Sequence, residues 1–127
     1  MTVTLGAVRV TGTADQRGQW SVTLPAQPAG GPFALSIEGS SQVVLRDILF
    51  GEVWVCSGQS NMEWSAGAGM IGAEEAIASA KNANIRFFDV PRRSAEYPQN
   101  DVDATWVEST PETMKSFSVI AYFFYQF

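Results

Sequence analysis

The chain has 127 residues, 46% of them hydrophobic, room for one ordinary domain with a core or for parts of two. With 13 acidic against 8 basic residues, the net charge of −5 argues against nucleic acid or an anionic membrane surface as the main partner. No apolar run approaches the roughly 20 residues that span a bilayer, and the single cysteine excludes an internal disulfide.

The first residues have neither the basic start nor the long apolar stretch of a signal peptide. Residues 1–50 read as an antiparallel β-module, the first of two domains. Val3 and Leu5, then Val8 and Val10, alternate with polar neighbours, and the change of phase near Gly6 suits a bulge. Turn chemistry at 15–18 precedes Trp20, Val22 and Leu24, which alternate with Gln19, Ser21 and Thr23 and predict a strand. Prolines and glycines make 25–32 a loop. Phe33, Leu35 and Ile37 alternate again, and 43–50 supplies a fourth strand. One face buried and the other wet is the pattern of a sandwich or meander, which makes this half a structural module.

From residue 51 the pattern changes. Val53, Trp54, Val55 and Cys56 form an apolar run without alternation, which predicts a strand covered on both faces, as parallel strands are. Small polar residues at 57–61 end the run and put Ser60 in a Gly-containing turn. Such a turn at the rim of an α/β sheet presents a hydroxyl and leaves backbone N–H groups free to receive negative charge. Ala73, Ala76, Ile77 and Ala80 then share one helical face. Glu74 and Glu75 sit near its positive end, Lys81 near its negative end, and Asn82 and Asn84 close it. A second strand at 85–90 is stopped by Pro91, so the stretch reads as a βαβ unit with a right-handed crossover.

Residues 91–103 form a polar loop in which Arg92 and Arg93 are solvated. Thr110 caps a helix and Pro111 occupies its first turn. The helix runs on through 117–127, where Val119, Ile120, Tyr122, Phe123, Phe124, Tyr125 and Phe127 make it apolar on nearly every side, the mark of a buried helix. Two parallel strands and two helices cannot cover both faces of a sheet. The chain is therefore expected to be the front portion of a longer protein, with 51–127 opening an α/β domain. A rival expectation is that 117–127 docks on another chain and gives self-association.

The chemistry expected at Ser60 meets one obstacle: the sequence has no histidine, and most serine hydrolases need an imidazole as general base. Lys81 sits at a helix end and reads as a surface lysine. Asp89, near the end of the second strand and on the same rim as Ser60, is a pocket-lining candidate but an unshifted carboxylate is a poor base for a hydroxyl. Cys56 reads as a small buried apolar residue. With scattered carboxylates, no metal site is supported. Trp54 and Trp64 flank the turn, and Trp64 is a candidate for lining a sugar pocket.

Residues 47–64, which read Asp-Ile-Leu-Phe-Gly-Glu-Val-Trp-Val-Cys-Ser-Gly-Gln-Ser-Asn-Met-Glu-Trp, resemble the nucleophile block of the sialate O-acetylesterases, a carbohydrate-esterase branch of the SGNH (GDSL-like) hydrolases. The resemblance extends upstream through 18–25 and 29–33, and downstream through 85–88, 91–93 and 117–124; the run 51–62 is its specific part. It implies a serine esterase that removes O-acetyl groups from sialic acid or a related acylated sugar, on a flavodoxin-like parallel sheet preceded by the β-module. Ser60 matches the family nucleophile and its own N–H the first oxyanion donor. Gly58, Gln59 and Asn61 are oxyanion or pocket candidates, and Trp64 and Asp89 substrate-lining ones. The Asp and His partners, a further glycine donor and the family's oxyanion asparagine would lie beyond Phe127, so this chain alone is expected to be inactive. No cofactor is implied, and family members are often secreted, periplasmic or lysosomal. A carbohydrate-binding or structural module without catalysis is the alternative.

Overall fold

In the computed structural model, which describes residues 1–125, the chain divides into two units, Met1–Val53 and Trp54–Phe127. Gln126 and Phe127, the end of the expected C-terminal helix, lie outside the described residues.

The first unit is a single antiparallel sheet of β1 (Thr2–Leu5), β2 (Val8–Thr11), β3 (Gly30–Glu38) and β4 (Gln42–Phe50), in the order β2-β1-β3-β4. β1 is flanked on both sides, and its alternate residues Val3 and Leu5 are buried. The phase change at Gly6 is a hairpin turn and not a bulge. Leu5 pairs with Val8, and Gly6 has φ +56°, the positive value that a type II′ turn needs at its first central residue.

The irregularities lie between β3 and β4. The pairing passes from Phe33 with Ile48 to Leu35 with Leu45, which leaves one extra residue in β4. Asp47 takes up the bend with φ +59°, a region that Asp tolerates better than most side chains. Residues 19–24 do not form the expected strand. Alternation sorts side chains by face, but a strand also needs a partner in register. This stretch runs past Gly12, just beyond the end of β2, where an added Cβ would stand 2.8 Å from Val22 Cγ1. The second layer of a sandwich is absent among the described residues of this unit.

The second unit is built on a short 3-10 turn (Ala66–Ala68), α1 (Ala73–Ser79), β5 (Asn82–Phe87), β6 (Val107–Ser109), α2 (Pro111–Ser116) and α3 (Val119–Tyr125). Its core is Ala66, Ala73, Ala76, Ala80, Phe87, Met114, Val119 and Tyr122. The alanine face expected of α1 is therefore the buried one. Small side chains let the helix lie close, while Phe87 fills the centre, stacked on Phe117 with centroids 4.1 Å apart. Lys81 lies past the Ala80 cap and Asn82 already belongs to β5, so asparagines do not close the helix.

Three expectations are corrected here. Residues 53–56 are not a buried strand: they have no regular secondary structure, no strand among the described residues pairs with them, and Val55 is 89% exposed. An apolar run is buried only where neighbours exist to cover it. Second, β5 pairs antiparallel with β6, through Phe87 with Val107 and Asn82 with Ser109, so no parallel βαβ pairing forms among these residues. Third, the C-terminal helix is two helices. The Thr110 Oγ1 accepts from the Thr113 N–H at 3.2 Å and the Thr113 Oγ1 accepts from the Thr110 N–H at 2.9 Å, a reciprocal cap on α2. The chain then turns extended at Phe117 (ψ 156°) before α3 begins. Val119, Ala121 and Tyr122 are buried, whereas Phe124 and Tyr125 are exposed. No helix among the described residues is long and apolar enough to cross a membrane.

Candidate active site

The run from Glu52 to Gly58 is irregular and exposed, and it delivers the chain into a turn at Ser60. Trp54 holds one end of this run in the second unit, packed edge-on against Phe124 with ring centroids 5.4 Å apart. Cys56 is an exposed free thiol, not the buried apolar residue its neighbours suggested.

The turn is a succession of tight hydrogen bonds. The Met62 N–H donates to the Gln59 carbonyl at 2.9 Å, Glu63 to Ser60 at 3.2 Å, and Trp64 to Asn61 at 3.2 Å. Each uses a carbonyl of 59–61, and the N–H groups of Ser60 and Asn61 meet no acceptor among the described residues. Ser60, Gly58, Gln59 and Asn61 are all exposed and contiguous, so the structure brings these candidates together. Gly58 packs closely on the turn: a Cβ there would stand 3.3 Å from Met62 Cβ.

Residues after the turn anchor it to the core. The Val119 N–H donates to the Trp64 carbonyl at 3.0 Å, the Ala66 N–H to the Phe117 carbonyl at 3.1 Å, and Ser65 and Ser118 face each other as an isolated antiparallel bridge. The Ser118 hydroxyl reaches the Met62 sulfur at 3.6 Å. This bonding to 64–66 replaces helical hydrogen bonds at 117–119, the physical reason that α2 and α3 are separate. Sequence reasoning missed Ser118. The signal was a lone small hydroxyl between Phe117 and Val119 in an otherwise apolar run.

Arg92 is also more than a solvated side chain. Its Nη1 donates to both carboxylate oxygens of Glu63 at 2.9 Å, across 29 residues of sequence. The neighbouring Arg93 turns to Asp103 at 3.7 Å. With the Arg92 side chain 83% exposed, solvent screening leaves the pair with Glu63 about 0–1 kcal/mol of stability.

Asp89 is exposed and lines a cleft of about 330 Å³ with Phe87, Pro91, Asp103, Thr105 and Phe117 among others. None of Gly58, Gln59, Ser60, Asn61 or Trp64 lines that cleft, so the structure does not join Asp89 to the Ser60 turn. Trp64 sits directly after the turn and is 45% exposed, leaving part of its ring open. Among the described residues no cluster of three or more His, Cys, Asp or Glu is placed to hold a metal ion.

No protein-family model matches the chain. It is 33% identical over 110 residues to the sialate O-acetylesterase of Mus musculus, a match covering 80% of this chain and 20% of that protein. The human sialate O-acetylesterase is 30% identical over 114 residues, which cover 84% of this chain and 22% of the relative. The chain thus spans about a fifth of the length of these curated relatives. Among solved structures, a carbohydrate acetylesterase from Xanthomonas citri superposes with a TM-score of 0.92 at 38% identity, over 98% of this chain and 29% of its own. The fold is accordingly a mixed α/β one with antiparallel sheets, seen also as part of a larger acetylesterase. Over most of its own length the chain is thus similar to one part of the sialate O-acetylesterases and of a carbohydrate acetylesterase.

Proposed function

We propose that this chain carries the nucleophile of a serine esterase that removes O-acetyl groups from sialic acid or a related acylated carbohydrate. The observation that carries the reading is the exposed Ser60 turn, with the Ser60 N–H unbonded beside its own hydroxyl. Similarity to acetylesterases supports the substrate class.

In this reading the Ser60 Oγ adds to the acetyl carbonyl carbon, and its proton passes to a general base. The carbonyl oxygen takes the negative charge and receives the Ser60 N–H, with Gly58, Gln59 and Asn61 shaping the surrounding pocket. The C–O bond to the sugar breaks, the sugar oxygen recovers the proton, and water releases acetate from acetyl-Ser60. Trp64, partly exposed directly after the turn, lines the sugar side. The base is assigned to an Asp and His pair outside these 127 residues, since the sequence contains no histidine. The same larger protein would pair 53–56 as a strand of a flavodoxin-like, SGNH-type sheet. That would cover the apolar run left exposed here.

The test is covalent labelling by a fluorophosphonate in the protein as its gene encodes it. A single adduct at Ser60, lost in Ser60→Ala, is expected; labelling that survives this substitution, or none at all, defeats the assignment.

A second reading draws on the exposed Phe124 and Tyr125 at the end of α3, which suit association with another copy of the chain. Sedimentation should then reveal concentration-dependent association that Phe124→Ser removes.

A further inference from the structure

At the start of the loop 91–103 two adjacent arginines meet different partners. Arg93 meets Asp103 at 3.7 Å and closes the loop on itself. Arg92 donates to both oxygens of Glu63, whose own N–H donates to the Ser60 carbonyl at 3.2 Å. The carboxylate that grips the loop thus belongs to a residue whose backbone is bonded to the residue bearing the candidate nucleophile. Both oxygens of one carboxylate accept from the same nitrogen, a charge-assisted contact between the loop and the residue next to the turn. At the loop's far side, Tyr97 is 75% exposed, an aromatic face with no burial to explain it.

We propose that Glu63 and Arg92 are positioning residues: their pairing holds the loop 91–103 beside the Ser60 turn as one wall of the ester-binding site. This extends the esterase reading above and rests on it for the substrate, but not for the clasp itself.

Solvent screening limits what the pair contributes to global stability, so its loss should free the loop without unfolding the unit. In hydrogen exchange on the protein as its gene encodes it, Glu63→Gln and Arg92→Gln should each speed amide exchange in 93–103 about 2- to 5-fold. The exchanged pair, Glu63→Arg with Arg92→Glu, should restore protection. In kinetics, Glu63→Gln should raise KM for an O-acetylated sialic acid by about 2- to 5-fold with a smaller change in kcat, the split expected when binding geometry and not the reacting group is disturbed. The exchanged pair should bring KM back.

Unchanged exchange in the single variants, or no recovery in the exchanged pair, overturns the clasp. Faster exchange with KM unaltered overturns the wall. A natural protein that hydrolyses no acetyl ester defeats the esterase reading and, with it, the wall's role, while exchange still decides the clasp.

Discussion

The backbone N–H of Val119 donates to the carbonyl of Trp64 at 3.0 Å, so the first residue of α3 holds the segment that leaves the Ser60 turn. The neighbouring bond from Ala66 to Phe117 makes this a two-bond ladder, and it needs the chains to lie close. Gly67 sets that distance, since a Cβ there would stand 3.0 Å from the Lys115 carbonyl oxygen. Gly67→Ala should therefore destabilise the chain by about 1–3 kcal/mol in urea unfolding, as overpacking against backbone does. Ala68→Ser, on the exposed neighbour, should stay within about 0.5 kcal/mol.

Met114 is the largest side chain with no exposure in the second unit, set among the alanines of α1 and the ring of Phe87. Met114→Ala should cost about 2–5 kcal/mol, because short alanine side chains cannot move in to fill the space left. Met114→Leu keeps the volume and should cost less than about 1.5 kcal/mol. Equal losses for both variants would mean that the site is not packed as described.

The sequence was legible where a local rule decides the outcome. β3 follows from alternation, the buried face of α1 from three- and four-residue spacing, and the start of α2 from Thr110 and Pro111. It misled where the outcome depends on remote partners. The run at 53–56 has the composition of a covered strand, but composition does not supply the neighbours that cover it. Phe117 and Ser118 carry no Gly or Pro to announce the break between α2 and α3; the break comes from residues some fifty positions earlier. β6 is only Val107–Ser109, too short for alternation to register. At the site, the turn and its exposed serine were readable. The pairing of Glu63 with Arg92 was not, because nothing local links two charges 29 residues apart.

The cap on α2 yields a coupling prediction. Thr110 and Thr113 each accept from the other's backbone N–H, so removing either hydroxyl frees one donor at the helix start. Thr110→Ala should cost about 1 kcal/mol. The Thr113 hydroxyl also donates to the Glu108 carbonyl at 2.6 Å, joining the cap to β6, so Thr113→Ala should cost at least as much. The double variant should fall short of the sum, as expected for residues sharing one network. Additive losses would show that the two hydroxyls act separately.

Activity of the 127-residue chain by itself separates the presence of a nucleophile from the presence of a working site. A serine hydroxyl attacks an ester at neutral pH only when a base accepts its proton, and no imidazole is available in this sequence. Loss of the base from a Ser-His-Asp site lowers turnover by on the order of 10⁶, and with the further oxyanion donors also assigned outside these residues the chain should stay at or near the spontaneous rate on p-nitrophenyl acetate. Ser60→Ala should leave that rate unaltered and, because Ser60 is exposed with its side chain unbonded among the described residues, shift stability by no more than about 0.5 kcal/mol. A clear rate above background that vanishes in Ser60→Ala would mean that a carboxylate or lysine within these residues serves as the base. In that event the exposed Asp89 and Lys81 are the first positions to substitute, and the assignment of the proton acceptor to residues outside the chain fails.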